Sequence, residues 1–323
     1  MNHHVSNIKS ESICAVMEAL TKNQFMSRED LSHQCQLSLT TVSNILNGLH
    51  DYGLLSQKHL HTGKSGRNPT VFSFSDSAAM LMLRINDHSL TMTLMDFRMN
   101  SLLCLNRNIL PDRDPGEVLL HFMLLCRDEL QQMHRRIILC GLLNESHIWD
   151  NDTIDRAIHT YWKLSVILHD TTHAALARAA LHQGIAAHDQ CTAILSHDNS
   201  FEGLILHHGK ILRGNGTEIR RDHTDPITHT AELLTTIDTL SAFLSPDAIL
   251  ICTVQDAKES QKHITEALQS AASKQFEIAV RNTDQFLAYG MVLAIRLSWI
   301  EEAKCDMHRL RDEEDNLPSP ISI

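Results

Sequence analysis

The amino-acid sequence predicts an α/β chain in which an N-terminal winged helix-turn-helix is followed by a larger α/β domain. Three observations predict it. Residues 1–75 hold two capped helix starts followed by a Gly-rich basic hairpin. Beyond residue 76, strand signals alternate with helix signals, the mark of an α/β domain. The charge is also unevenly divided. The 323-residue chain has a formal charge of -11, yet residues 1–75 carry six Lys/Arg against five acids, +1 overall, leaving -12 on the remainder. An acidic body with a near-neutral head can meet a polyanion only through the head.

The head reads element by element. Ile13, Val16, Met17 and Leu20 fall at helical spacing, which predicts a first helix over Asn7 to Lys22. Ser27 reads as the N-cap of a second helix, with Glu29 and Asp30 in its first turn and an end near Cys35. Ser38 caps a third helix that runs to about Tyr52, where Gly53 stops it. Val42, Ile45, Leu46 and Leu49 form its apolar face; Thr40, Asn44 and Asn47 lie opposite, flanked by Thr41 and Ser43. Small polar side chains on such a face can read base edges, and Asn can bond adenine twice. Leu54 to Leu60 and Val71 to Phe74 then predict two strands around the loop HTGKSGRNP, with Lys64 and Arg67 at its tip. The predicted partner is double-stranded DNA. Ser38, Thr40, Thr41, Ser43, Asn44 and Asn47 would face the bases. Because residues 38–52 contain no Lys or Arg, phosphate contacts fall to Arg28, Lys58, Lys64 and Arg67. The GKS in the loop is not a nucleotide signal, since a phosphate-binding loop needs Gly where Lys58 stands.

In the large domain, AMLMLRINDHSLTMTLMDFRMN predicts a hairpin. Further strands are expected at 137–142, 191–196, 204–206 and 248–251. Helices are expected at 115–133, 151–162, 170–183, 228–243, 258–274 and 284–302. The division is then 1–75 for the DNA-binding head, 76–309 for the body, and 310–323 for an acidic, Pro-containing disordered tail. The sequence has no apolar run long enough for a membrane span and no apolar signal core at its start. Its eight cysteines include no CxxC pair. These features predict a cytoplasmic chain with reduced thiols and no membrane insertion. Asp170 sits before an Ala-rich helix; helix capping and a binding role are both open to it.

The order of segments resembles the ROK family (repressors, open reading frames, kinases), and within it the sugar-responsive regulators of the NagC/Mlc type. The pieces are GRNP, the hairpin, ILHDTTHAALARAAL, HHGKILRGNGTEI, LSAFLSPDAILI and FLAYGMVLAI, in that order. The resemblance implies an actin-like, ribonuclease H-like two-lobed α/β body that forms a homodimer or higher oligomer and receives a sugar or a protein partner as its signal. It also implies departures. The Gly turn that approaches ATP phosphates in the family's kinases is matched by Arg84, Asn86, Asp87 and His88. The second phosphate loop is matched by Asp198, Asn199 and Ser200. Side chains, two of them anionic, obstruct a phosphate there. The sugar-orienting positions match His169, Asp170 and Glu218, a vestigial pocket. The family's zinc-ligand His is Arg221, and its Cys-rich loop is missing, so no structural metal is expected. The expectation is a DNA-binding regulator, a repressor, with no cofactor and no catalysis. A sugar kinase carrying a DNA-binding arm and a regulator acting by sequestration are the alternatives.

Overall fold

A computed structural model describes residues 10–59, 70–110, 113–185, 191–197, 200–207, 210–212, 219–222, 235, 237, 246–253 and 277–306. The chain divides into two compact units: residues 1–169 with 294–323, and residues 170–293.

The first unit begins with helix α1 (Ser10–Lys22), strand β1 (Met26–Ser27), helices α2 (Arg28–Cys35) and α3 (Leu39–Asp51), and strands β2 (Leu55–His59) and β3 (Thr70–Phe74). The strands form an antiparallel sheet in the order β1-β3-β2. Three helices and this three-stranded sheet make up the described part of the head. Each predicted cap is present. Ser27 accepts the Asp30 amide and its own amide donates to the Asp30 carboxylate, a reciprocal capping box. The Ser38 hydroxyl accepts the Thr41 amide at 3.1 Å. Between α2 and α3 the chain turns on Gln36, which adopts a left-handed conformation (φ 55°), and Leu37 N–H bonds back to Ser32 O. A side chain at that φ is strained. Gln36→Gly should therefore stabilise the head by up to about 1 kcal/mol, read as a raised midpoint in chemical denaturation.

The same unit continues with β4 (Ala78–Ile85), β5 (Ser89–Asp96), β6 (Ser101–Asn108), α4 (Pro115–Gln132), β7 (Arg136–Asn144), α5 (Asn151–Trp162) and β8 (Val166–Asp170). Their sheet has the order β6-β5-β4-β7-β8, with β4 antiparallel to β5 and parallel to β7. Alternate residues of β4 and β5, namely Leu81, Leu83, Leu90, Met92 and Leu94, pack with Phe122 and Met123 of α4 and Ile154, Ile158 and Trp162 of α5. The buried Trp162 indole donates to Met123 O at 2.9 Å, so its polar atom is satisfied. Cys126 and Cys140 are part of this core. Burial pushes both thiols up, Cys140 to about 12, with repulsion from Asp155 adding to the effect at Cys140. They behave as small hydrophobes rather than nucleophiles.

The second unit holds α6 (Thr172–His182), β9 (Cys191–His197), β10 (Ser200–His207), β11 (Lys210–Ile211), β12 (Ile219–Asp222), β13 (Ala248–Thr253) and β14 (Glu277–Asn282). The sheet order is β11-β10-β9-β13-β14, with β12 also on β10; β9, β13 and β14 run parallel. The last helix, α7 (Thr283–Asp306), begins in this unit, and its residues from Ala294 onward belong to the first.

The expected strands and helices at 137–142, 151–162, 191–196, 204–206, 248–251 and 284–302 are all found, within a few residues. The short β1 and the strands β6, β8, β11, β12 and β14 are additions. β1 has only two residues. In β6 the exposed Asn106, Arg107 and Asn108 hide any apolar alternation. One assignment is corrected. Asp170 does not cap α6: Thr171 does, accepting the Ala174 amide at 3.2 Å, while Asp170 closes β8. The helices expected at 228–243 and 258–274, Asp198, Asn199 and the tail 310–323 lie outside the described residues.

Candidate nucleic-acid interface

Helix α3 owes its orientation to its own sequence. Val42, Ile45, Leu46 and Leu49 are at most 2% exposed, so one face is wholly committed to the core of the head. Burial of that face fixes what the opposite face presents. Thr40 and Asn47 are exposed, and Thr41, Ser43 and Asn44 half-exposed. The ridge expected from the sequence is thus on the surface. Two of its members have a structural duty. The Ser38 hydroxyl caps the helix and lies 2.8 Å from the Thr41 hydroxyl, so these two hold the helix start. Thr40, Ser43, Asn44 and Asn47 remain to project from it.

Leu39, the first residue of α3, is 50% exposed, and sequence reading missed it. An apolar side chain beside a polar ridge can meet a thymine methyl group. Its only sequence signal was a Leu directly after the cap, at the margin of the buried face.

The cations are less uniform than expected. Lys58 is exposed on β2, its ammonium 5.2 Å from the centroid of the partly exposed Phe25 ring. Arg28 is half-buried with its guanidinium 5.1 Å over Phe72. The aromatic contact anchors Arg28 at the first turn of α2, where backbone amides already favour an anion. Lys64 and Arg67 lie outside the described residues.

The head is clamped to the sheet behind it. Three residues, 75–77, separate β3 from β4. Phe74 stacks on Phe97 at 5.8 Å, and Arg98 bonds both the Phe74 carbonyl and the Asp76 carboxylate. Arg135 donates to Asp76 O, and Arg136 donates to the carbonyl of Tyr52, the C-cap of α3. Gly53 next to it has φ 71°, and a Cβ there would collide with the Arg136 guanidinium. The glycine expected to stop the helix also makes room for this clamp.

The positions matching phosphate and sugar sites have other occupations. Asn86 Oδ1 accepts from the amides of His88 and Ser89, closing the β4–β5 turn on itself. Asp87 accepts from Ser146 Oγ and from both the amide and the ring of His147. Partial burial opposes its charge, but these hydrogen bonds outweigh it and hold the carboxyl below the usual range. Arg84 is buried, 3.6 Å from Glu145. His169 pairs with Asp155 at 3.0 Å. Asp170 pairs with Arg178 of α6, and Glu218 lies outside the described residues. Of the three residues of the expected sugar pocket, the two described ones, His169 and Asp170, each have a side-chain partner. Among those residues no cluster of three His, Cys, Asp or Glu side chains could hold a metal, and no helix is long and apolar enough to cross a membrane.

The Asp87 interaction has a pH signature. A carboxyl whose folded pKa is depressed adds stability that is present above its unfolded pKa, about 3.9, and lost as pH falls through the lower folded value. Asp87→Asn should therefore be less stable than the native chain near neutrality, and the gap should close on acidification below about pH 4. Thermal melts across that range check it.

No family model and no curated protein matches the sequence. Solved structures do match. A ROK family transcriptional regulator, described as a homologue of the E. coli MLC protein, aligns at TM-score 0.56 and 13% identity, over 92% of this chain and 99% of its own. A ROK glucokinase from Streptomyces griseus, in complex with glucose and AMPPNP, aligns at 0.47 and 8% identity, covering 67% of this chain and 98% of its own. A polyphosphate/ATP-glucomannokinase from Arthrobacter aligns at 0.47 and 14%, covering 68% and 99%. The first of these establishes the fold along nearly the whole chain.

Proposed function

We propose that this chain, which has the actin-like fold of ROK proteins, is a sequence-specific DNA-binding transcriptional regulator that carries a winged helix-turn-helix at its head and acts in the cytoplasm as a repressor. The observation that carries it is the solvent-facing ridge of Thr40, Ser43, Asn44 and Asn47, opposite a fully buried face of a capped second helix of a helix-turn-helix. That helix would lie in the major groove. Arg28 and Lys58, with Lys64 and Arg67 of the loop between β2 and β3, would take the phosphates. The body would dimerise, so that two heads meet half-sites about one helical turn or more apart. A sugar or a protein partner would be its effector. It would have no catalytic role: Asn86 and Asp87 fill the turn that a nucleotide phosphate would need.

The experiment is selection from a random duplex library by the full chain, followed by binding measurements on the enriched sequence. Enrichment of one motif is expected; uniform recovery of the library would sink the reading. Few phosphates are neutralised per head, so the dependence of affinity on salt should be shallow. Lys58→Gln should reduce its slope by about one. A steep slope that survives loss of all four cations would contradict the assignment. Incubation with ATP and a panel of hexoses should give no ADP; sustained turnover would favour a kinase.

A further inference from the structure

We propose that α4 carries the surface on which two copies of this chain pair, antiparallel and about a two-fold axis, through a ridge of Glu117, Leu120, Leu124 and Arg127; this rests on the dimer of the preceding section and assigns the surface that makes it.

α4 lies wholly within the first unit. Asp114 caps it and Pro115 opens it, so its start is fixed by its own sequence. One face is committed to the sheet: Leu119, Phe122, Met123, Cys126 and Leu130 are at most 6% exposed. At about 100° per residue, Glu117, Leu120, Leu124, Arg127 and Gln131 fall on a second stripe, about 120° round the helix from the first. Their alternating spacing of three and four is that of a helix–helix seam. Leu120 is 37% exposed, Leu124 is half-exposed, and Glu117 and Gln131 are exposed. Single exposed leucines are ordinary. Two of them on one stripe, closed at one end by an acid and at the other by a base, form a pattern that can match itself.

The match follows from symmetry. A two-fold axis makes one patch serve both copies, so that each contact occurs twice. With the axis midway between Leu120 and Leu124, Leu120 meets Leu124 of the second copy, and Leu124 meets its Leu120. The same axis sets Glu117 against Arg127 of the second copy at both ends. A parallel pairing of the same ridge would set Glu117 against Glu117 and Arg127 against Arg127, and like charges at both ends reject it. Arg127 already donates to Asp128 through Nε and Nη2, at 3.2 and 3.1 Å. Nη1 makes no hydrogen bond among the described residues, which leaves it for a carboxylate of the second copy. Asp128 itself falls opposite Gly116 of the second copy, where no charge opposes it. The leucines supply the affinity, because their burial removes apolar surface from water. The exposed ion pairs add little affinity and fix the direction.

Sedimentation velocity of the full chain without DNA, over a series of concentrations, tests the assignment. The native chain is expected to dimerise. Leu120→Glu puts a charge into both apolar pairs and should weaken dimerisation by about tenfold or more. Leu125→Glu makes the same change at a leucine of the same helix that is 44% exposed but lies off the ridge. It should alter dimerisation by less than about twofold. Glu117→Arg and Arg127→Glu should each weaken dimerisation about fivefold, by setting like charges opposite one another. Combined, they exchange the two signs and should return it to within about twofold of native. This restoration needs no apolar substitution, so it decides the matter even where Leu120→Glu disturbs folding. A native monomer overturns the assignment, and so does equal weakening by Leu125→Glu or a charge exchange that fails to restore. A dimer that none of these changes weakens places the contact elsewhere and leaves the dimer of the proposed function standing, whereas a native monomer removes that dimer as well. Enrichment of one motif from random duplexes is read separately and tests DNA recognition whichever way the sedimentation falls.

Discussion

Replacing Asn44 and Asn47 together by Ala is expected to abolish sequence-selective binding while leaving the protein folded. A well-placed side chain on a base edge is worth roughly 1–3 kcal/mol of discrimination, so the pair should lower affinity for the selected duplex by about thirtyfold or more. Both side chains lie on the outward side of α3, and neither Asn44 nor Asn47 is buried. Their removal leaves the face of Val42, Ile45, Leu46 and Leu49 untouched. Ala is moreover the better helix former, so the helix itself should not weaken. The variant's residual binding should be nearly independent of sequence, because the phosphate contacts remain. Titration of the selected and a scrambled duplex at one salt concentration separates the two terms. Unchanged discrimination would mean that the ridge does not face bases.

The largest loss of stability is expected at Phe74→Ala. Its side chain is 1% exposed, and truncating a buried Phe costs about 3–5 kcal/mol. Here the ring is also the junction of three parts of the first unit. It comes from the last residue of β3, stacks on Phe97 just after β5, and lies under Arg296 of α7. Truncation leaves a cavity between head and sheet and removes the aromatic partner of a buried guanidinium. The account predicts that head and sheet melt together in the native chain and separate into two steps in Phe74→Ala. Scanning calorimetry decides this: two transitions already in the native chain would show that the clamp of Arg98, Arg136 and Phe74 contributes little.

The local rules of helix starts and stops made the head legible. Ser27, Ser38 and Gly53 each do what their residue type predicts at that place, because caps and left-handed turns are decided within four residues. The ridge on α3 was legible for the same reason: a helical period fixes both faces at once. Less legible was anything set by partners distant in sequence. Arg136 and Trp299 reach Tyr52 from 84 and 247 positions away, and nothing in their local sequence announces it. The cap of α6 was left open at Asp170 because Asp and Thr are both good caps and stand side by side; it is the Thr171 hydroxyl that accepts the Ala174 amide. The order of segments pointed to the body's fold even though no single piece of it was specific.

The most direct measurement is a structure of the full chain bound to its selected duplex. The account predicts α3 in the major groove, with Asn44 and Asn47 within hydrogen-bonding distance of base edges and Lys58 against the backbone. A complex in which these residues pack on protein, and bases are met from another surface, would contradict it.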